Sequence, residues 1–434
     1  MLGSLFNSLF SESTLPAALR HGVVAVMPLA LATFKTIITC SFVVLLCYMA
    51  LVRKRRYQGI NRMLKKYPDP TLPLRDLEVA NEVWSFVSDC EFPFTFNFTV
   101  QMMLLKLSGI PSISKIVIST KQTTNHGVKR ANDTTLLIAE ALQSYSRRTA
   151  RSLLVDKVDP VTGTITTTPR KKPSGASADI VDDEELKERT NDDARAKAAV
   201  DRINFIHSHY NISQGDFVYN LALSVLDSIY WVGRFDWRPL TELEENALVA
   251  IWTDLGRKMG IENIPKTVQE FEDWAENYEL GIMKYAPTNT AMADGNIAVS
   301  QSLVTTPEAK ARVKKFFVAI MNPRSRAAVG YDEPTRTQVF VSRSILWVRG
   351  CIVKYLMMPR TAPHLLTAMR ATKFEDVSIK NNNVENKETA GGCPFSGGMR
   401  YVPRFNDLGP LYPRGYKIEE LGPEKFFGKG LVLS

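Results

Sequence analysis

The stretch Thr36–Val52, TIITCSFVVLLCYMALV, has 17 residues and no charged side chain. At about 1.5 Å per helical residue, such a stretch is just long enough to cross a hydrocarbon core of roughly 30 Å. Apolar residues also precede it from Val23 to Phe34, and Lys35 between the two runs can extend its ammonium group to the lipid headgroups. We therefore expect one transmembrane helix over residues 36–52, with residues 1–35 on the far side of the membrane.

A basic segment follows this hydrophobic stretch. Between Arg53 and Lys66 the chain has seven Lys or Arg residues and no acid, in a chain of net charge +9. A basic segment beside a hydrophobic helix indicates contact with anionic headgroups, and the positive-inside rule then places the large C-terminal part in the cytosol. A cleaved signal peptide would instead carry its basic residues before the apolar core.

Composition excludes two other classes of protein. Basic residues interleaved with aromatics do not recur downstream, so we expect no nucleic-acid partner. The five cysteines show no paired spacing, and Cys40 and Cys47 lie inside the hydrophobic stretch. A disulfide-stabilised secreted fold is therefore not expected, which agrees with a reducing compartment.

The rest of the chain shows helical periodicity. Asp216–Trp231 is apolar nearly all round, which predicts a buried helix. Thr241, followed three residues later by Glu244, is the pattern of a capping box at the start of another helix. We expect further helices at Val268–Tyr278, Ala309–Met321 and Val339–Met358. Alternating strands, a nucleotide-binding fingerprint and internal repeats are absent from the sequence, so the predicted class is all-α.

Two segments interrupt the helical pattern. Residues 156–189 combine a Thr-rich run, a basic Pro-flanked cluster and a Ser/Gly/Ala tract, which predicts a disordered insertion. Residues 381–434, rich in Pro and Gly, predict an irregular C-terminal tail on the surface. One helical domain would then consist of residues 53–155 and 190–380.

A histidine pair lies in the helical segment Arg202–Tyr210, RINFIHSHY, for which Asp192 or Asp193 is a candidate N-cap. At about 100° per residue, His207 falls on the apolar face and His209 on the opposite face. A neutral imidazole on an apolar face can bind a metal or a haem iron. It can equally be a core histidine that is hydrogen-bonded to a backbone carbonyl.

A second helical segment carries Arg130 and Thr134, which are four residues apart and share a face with Leu137 and Ala141. A guanidinium on the same stripe as core residues needs a partner, either a buried carboxylate or an anionic ligand such as a propionate. The sequence contains no CxxCH, no HExxH, no phosphate-binding loop and no serine elbow.

Several stretches together resemble one family, the fungal ER-bound oxygenases of the MpaB type from mycophenolic acid biosynthesis. That family shares its catalytic domain with the latex-clearing (rubber) oxygenases. The matching stretches are LKLSGIPSISKIVIST (Leu105–Thr120), KRANDT (Lys129–Thr134), RINFIHSHY (Arg202–Tyr210), LGRKMGI (Leu255–Ile261) and PRGYKIEELGP (Pro413–Pro423).

The resemblance implies a globin-like helical domain that holds haem b, with residues 53–155 and 190–380 as the catalytic domain. His207 would be the proximal ligand of the haem iron, and Arg130 and Thr134 would lie on the distal side as catalytic residues. We also expect Arg202 to contribute to cofactor binding. This chain has Asp133 where the rubber oxygenases have a lysine.

A distal glutamate, which the rubber oxygenases use as a base, has no counterpart in Ser112–Thr120, because that stretch contains no acid. The function implied is nevertheless oxidative C=C cleavage by O₂ of a lipophilic, prenylated or terpenoid substrate in secondary metabolism. The enzyme would be a single-pass protein of the endoplasmic reticulum membrane. The alternative is a non-catalytic, membrane-tethered helical scaffold or lipid-binding protein without cofactor.

Overall fold

The computed structural model describes residues 17–159, 163–170, 183–373, 399–404, 411–412 and 415–430. The helices of these residues, in chain order, are α1 Ala17–Lys66, α2 Leu77–Trp84, a π-helical segment Ser85–Glu91, α3 Pro93–Leu107, α4 Pro111–Ser119, α5 Gln122–Asn125, α6 Gly127–Leu142, α7 Ser144–Leu153, α8 Asp183–His207, α9 Gln214–Phe235, α10 Glu242–Lys258, α11 Val268–Ile282, α12 Pro287–Gln301, α13 Pro307–Ile320, α14 Pro323–Ala328 and α15 Arg336–Leu356. Short 3₁₀ turns lie at Leu72–Leu74, Ile418–Glu420 and Glu424–Phe426.

Two small antiparallel sheets complete the described residues. Strand β1 (Leu154–Val158) pairs with β2 (Ile165–Pro169), and the two-residue strands β3 (Thr372–Lys373) and β4 (Met399–Arg400) pair with each other. Helices otherwise make up the regular structure, so the predicted all-α class is confirmed.

Helix α1 combines the predicted anchor with the first part of the folded domain. Its segment Thr33–Lys66 is long and apolar enough to cross a membrane. Residues 33–51 are almost all exposed, whereas Val52 and Ile60 are buried against the domain. The bent pair α3 and α4 is also apolar, with an angle of 101° between the helices, but Met102 and Ile110 lie in the core. The predicted N-terminal transmembrane helix is therefore supported by length, composition and exposure together.

The core is centred on α9, the helix predicted as buried. Ser213 caps α9 by accepting a hydrogen bond from the backbone N–H of Asp216. The helix packs on α3, α10, α11 and α15 and buries residues on nearly every face, from Val218 to Phe235. Helix α10 beside it begins with the predicted capping box of Thr241 and Glu244. These two helices form the frame on which the remaining helices are arranged.

Helix α8 begins earlier than predicted. It starts at Asp183, so the expected capping role of Asp192 or Asp193 is wrong. Asp192 lies inside the helix with its carboxylate buried, 3.0 Å from Arg147 Nε and 2.7 Å from Arg151 Nη2. Two buried guanidiniums compensate the charge of this acid, which is a core role that a local capping pattern does not reveal.

The segment predicted as a disordered insertion has regular structure at both ends. Residues 154–158 and 165–169 form the β1–β2 hairpin, and α8 includes residues from Asp183 onward. The side chain of Asp156 on β1 is bound by Arg404 from the tail, so the hairpin is attached to the domain. Residues 160–162 and 171–182 lie outside the described residues.

The C-terminal tail also differs from the surface segment that was expected. Between residues 415 and 430 its side chains enter the core beside α6 and α8, where Tyr416, Ile418, Leu421 and Phe426 are buried. The hydroxyl of Tyr416 donates to the buried carboxylate of Glu140 on α6. The tail is irregular in its backbone but forms part of the packing around two of the helices predicted to carry the site.

Candidate active site

His207 is the last residue of α8, at the junction between the helix and the turn that follows. Its ring packs against that of Phe217, with a centroid distance of 5.5 Å. The Nδ1 atom is buried and has no hydrogen-bond partner among the described residues. Burial, and secondly the nearby positive charge of Arg130, lower the pKa of His207 to about 4. The imidazole is therefore neutral at neutral pH, which is the form that can bind a metal ion.

The orientation of the two histidines is as helical periodicity predicts. His209 is exposed, its Nδ1 lies 2.7 Å from the carbonyl oxygen of Phe205, and its ring is 4.4 Å from that of Phe426. The helix ends before His209, which lies in the following turn. Of the two rings, it is that of His207 that presents a buried nitrogen without a partner.

Arg130 projects from α6 toward His207. Its side chain is half-buried, burial lowers the pKa of Arg130, and Nη1 donates a hydrogen bond to Thr123 Oγ1 at 2.9 Å. In the part of the chain that the structure describes, no carboxylate lies within ion-pair distance of this guanidinium. Of the two partners considered from the sequence, a buried carboxylate is thus not found there, and a site for an anionic group fits the geometry better.

Thr134 is placed differently from Arg130. Its side chain is exposed, and its hydroxyl donates to the backbone carbonyl oxygen of Arg130 in the same helix at 2.9 Å. Four-residue spacing keeps the two residues on neighbouring positions of α6. The charge of Arg130 lowers the pKa of His207, whereas the hydroxyl of Thr134 bonds to the backbone of its own helix.

Arg202, which was expected to contact the cofactor, is completely buried and binds the tail. Its Nε donates to the carbonyl oxygen of Leu421 at 2.9 Å, and its Nη1 donates to those of Phe426 at 2.9 Å and Lys429 at 2.7 Å. These bonds fix the tail against α8 a little more than one turn before His207. The arrangement supports a positioning role for Arg202, in which it holds the surroundings of the histidine.

Asp133 has a matching role on α6 that the sequence alone did not reveal. Its buried carboxylate accepts from Lys129 Nζ at 2.6 Å, from the hydroxyl of Tyr412 and from the backbone N–H of Gly422 at 3.1 Å. The available signal was an acid beside the apolar stripe of α6, which requires a partner when it is buried. The tail therefore connects the helix of Arg130 with the helix of His207.

The chemistry of these donors fits a haem better than a bare metal ion. The described residues contain no group of three or more His, Cys, Asp or Glu side chains placed to hold a metal. A haem supplies four iron ligands itself and requires a single imidazole from the protein. A neutral His207 with an unpartnered nitrogen, and a guanidinium without a carboxylate nearby, match an iron ligand and a partner for an anionic group.

Comparison with known proteins identifies a family. Residues 186–350 match the family described as "ER-bound oxygenase mpaB/B'/Rubber oxygenase, catalytic domain". The ER-bound oxygenase mpaB' of Penicillium brevicompactum is 26% identical over 430 residues, covering 89% of this chain and 88% of that protein. The ER-bound oxygenase mpaB of Penicillium roqueforti (strain FM164) is 27% identical over 311 residues, covering 67% of this chain and 89% of the relative. The chain is similar to the MpaB-type oxygenases.

The MpaB-type match agrees with the resemblance inferred from the sequence, and the names of the relatives support an oxygenase. His207 and Arg202 lie inside the matched residues 186–350. Arg130 and Thr134 lie before them, so the case for these two residues depends on geometry. The name "ER-bound" of the relatives agrees with the exposed apolar segment of α1.

Proposed function

We propose that this chain is a membrane-anchored, haem b-dependent oxygenase. The proposed reaction is the oxidative cleavage of a C=C bond in a lipophilic, prenylated or terpenoid substrate of secondary metabolism. His207 is the proposed proximal ligand of the iron, and Arg130 is the proposed catalytic group beside it. Thr134 is a secondary candidate on the same helix.

The observation that carries the proposal is the state of His207. Burial removes the solvation of a charged imidazolium, and Arg130 adds like-charge repulsion, so the ring remains neutral to about pH 4. A buried ring nitrogen without a hydrogen-bond partner costs free energy unless a ligand compensates it. An iron ligand needs both a neutral ring and a free nitrogen.

When bound, haem b supplies an iron centre that activates O₂. The contribution of the protein is positioning and charge. Arg130 keeps a permanent positive charge in a half-buried site without a carboxylate partner among the described residues. That charge is available to stabilise negative charge on an oxygen atom of the reacting molecules, or to bind a propionate. Thr123 restrains the guanidinium through the 2.9 Å hydrogen bond.

Membrane attachment suits this chemistry. Apolar substrates partition into the bilayer, and α1 would keep the site at its surface. We propose that the chain resides in the endoplasmic reticulum membrane, with the basic segment 53–66 at anionic headgroups and the helical domain in the cytosol.

An absorption spectrum of the purified full-length chain tests the proposal. We expect an intense haem band and, after extraction of the cofactor, one haem b for each chain. A colourless protein that stays colourless after incubation with haemin would contradict the proposal. It would support instead a helical scaffold or lipid-binding protein without cofactor.

A further inference from the structure

Helix α15 presents two opposite faces. Ser342, Leu346, Gly350 and Val353, spaced at three or four residues, are buried against the domain. A Cβ atom on Gly350 would lie only 2.6 Å from the carbonyl oxygen of Phe235, so glycine lets α15 cross closely over the end of α9. The contact fixes the rotation of α15 about its axis. Its other face must therefore point away from the domain.

That outward face is apolar and exposed. Two large aromatic side chains, Phe340 and Trp347, are 71% and 62% exposed. Four aliphatic side chains repeat along the same side at helical spacing, namely Val341, Ile345, Val348 and Ile352. A continuous stripe of this kind is unusual on a water-exposed surface and marks a surface that contacts another apolar phase.

The charges of α15 have a single sign. The helix carries Arg336, Arg343, Arg349 and Lys354 and no Asp or Glu. A basic amphipathic helix with aromatic residues on its apolar side is typical of helices that lie in the plane of a membrane interface. Arg349 pairs with Asp236 of the domain at 2.9 Å, whereas Arg336 and Arg343 are exposed. These two side chains complement anionic headgroups, so the charge pattern favours a phospholipid surface as partner.

The position of α15 beside α1 also favours a phospholipid surface as its partner. At its C-terminal end, the hydroxyl of Tyr48 on α1 donates to the carbonyl oxygen of Leu356 at 2.9 Å. Arg56 Nε donates to the carbonyl oxygen of Met357 at 2.8 Å. These contacts lie where α1 leaves the domain, on either side of the boundary between its exposed segment 33–51 and the buried Val52. The apolar face is thus continuous with the helix that enters the bilayer.

A groove extends this surface toward α9. It runs between the end of α9 and the start of α15, with Tyr230, Phe340 and Trp347 in its lining. Arg234, Arg336 and Arg343 also line it. An apolar lining with three guanidiniums fits the acyl chain and phosphate of a phospholipid.

We propose that the outward face of α15 is a second membrane contact, seated at the boundary between headgroups and acyl chains of an anionic phospholipid leaflet. This inference rests on the proposed anchoring by α1 and adds to it. One spanning helix leaves the domain free to tilt, whereas α15 holds one face of the domain on the bilayer surface. The groove beside it then opens directly to lipid.

Tryptophan fluorescence tests this proposal in the full-length chain. Trp347 is exposed, the other five tryptophans are buried or half-buried, and α1 contains none. The purified protein is reconstituted in vesicles of phosphatidylcholine and phosphatidylserine with brominated acyl chains. The emission of Trp347 is obtained as the difference between wild type and Trp347→Phe, a variant that keeps an aromatic ring on the face. We expect brominated lipid to quench most of this difference signal and aqueous iodide to leave most of it.

Three other results would overturn the inference. Quenching of Trp347 by iodide and not by brominated lipid would place the face in water. Protection from both quenchers would indicate a protein contact, such as a second copy of the chain. A chain that does not float with the vesicles would remove the anchoring as well, while the haem spectrum would still test the oxygenase separately.

The charge contribution has its own control. Arg343→Gln on α15 should lower the quenching by brominated lipid more than Lys310→Gln, an exposed residue of α13. The difference should be largest in vesicles that contain phosphatidylserine and should shrink at high salt, because screening weakens contacts with headgroups. Equal effects of the two variants would contradict the role of the α15 charges.

Discussion

Arg130 acts on His207 across the contact between α6 and α8, two helices whose connection includes a hairpin. Burial is the larger cause of the low pKa of His207, about 4, and the guanidinium adds to it. The pairing is unusual because the permanent positive charge of Arg130 lies near a buried imidazole that would itself become positive on protonation, while no carboxylate of the described residues pairs with Arg130. It becomes favourable once a group with negative charge lies between or beside them.

The first prediction concerns the iron ligand. His207→Ala should abolish stoichiometric haem binding, because it removes the buried neutral imidazole. His209→Ala should keep most of the haem, since this ring is exposed and contacts Phe205 and Phe426. Haem content per chain, measured by absorption, is the readout. Loss of haem in the His209 variant and retention in the His207 variant would reverse the assignment.

The second prediction concerns Arg130. Arg130→Ala should retain haem at least in part and reduce turnover by more than about tenfold, since one well-placed electrostatic donor contributes on the order of 2–4 kcal/mol. Oxygen uptake with an isoprenoid substrate measures this effect. Wild-type turnover would assign the residue a structural role.

The melting temperature of the Arg130 variant provides a second test that needs no substrate. The guanidinium has no ion-pair partner among the described residues, so Arg130→Ala should leave the melting temperature unchanged or raise it. A clear decrease in melting temperature would show that Arg130 stabilises the fold. Thr134→Val serves as the control on the same helix, because Thr134 is exposed and bonded only to the backbone of its own helix.

The third prediction separates two roles of Arg202. Arg202→Ala should lower the free energy of unfolding of the cofactor-free chain by about 3 kcal/mol or more, since it removes three charged hydrogen bonds from a buried guanidinium to carbonyl oxygens of the tail. Arg257→Ala, on the exposed end of α10, should stay within about 0.5 kcal/mol of wild type. Chemical denaturation gives both values. If Arg202→Ala lost haem at unchanged stability, direct cofactor contact would be the correct role.

Agreement between sequence and structure is best where the signal is local. The capping box of Thr241 and Glu244 joins residues three apart, and α10 begins there as predicted. Hydrophobic periodicity likewise predicted α9, because a helix that is apolar nearly all round is typical of a protein core or a membrane span. The inward orientation of His207 follows from the same periodicity.

Partners that are distant in sequence could not be predicted in this way. Helical periodicity places Arg202 on the face of His209, opposite His207, yet its side chain is buried. Periodicity also does not name Leu421 as a partner of Arg202, or Tyr412 and Gly422 as partners of Asp133. Pro and Gly in the tail predict irregular backbone, but irregular backbone can still bury its side chains. Composition predicts the backbone class better than it predicts burial.

The fourth prediction concerns pH. Burial raises the pKa of Glu91, on the π-helical segment, to about 7, although Arg238 and Arg56 oppose the shift. The folded chain therefore keeps this proton to a higher pH than the unfolded chain, and the free energy of unfolding falls as the pH rises toward 7. Glu91→Gln should remove this pH-dependent fall in the free energy of unfolding.

Melting curves by circular dichroism at about pH 5 and about pH 8 check the effect of Glu91→Gln. The variant should gain stability relative to wild type at the higher pH and little at the lower one. Glu272→Gln, an exposed residue of α11, is the control and should show no such dependence. An equal difference at both pH values would exclude Glu91 as the titrating group.

The fifth prediction concerns topology. The domain contains three acceptor sequences for N-glycosylation, at Asn97, Asn132 and Asn211. Asn132 is buried, but Asn97 and Asn211 are exposed and would be modified in a lumenal domain. Because the basic segment after Val52 should keep the domain cytosolic, we expect no N-glycan on the protein from a eukaryotic cell. A mobility shift removed by endoglycosidase would reverse the orientation.

The tail contacts of Asp133 impose an order in time on the synthesis of the protein. Asp133 and Gly422 are separated by 289 residues, so at about 5–20 residues per second the ribosome needs roughly 15–60 s to pass from one to the other. During that interval α1 is already available for insertion, whereas the tail residues that bind the carboxylate of Asp133 and the guanidinium of Arg202 have not yet been synthesised. The surroundings of His207 are completed late in translation, so binding of the proposed haem would belong to the finished chain and not to the nascent one.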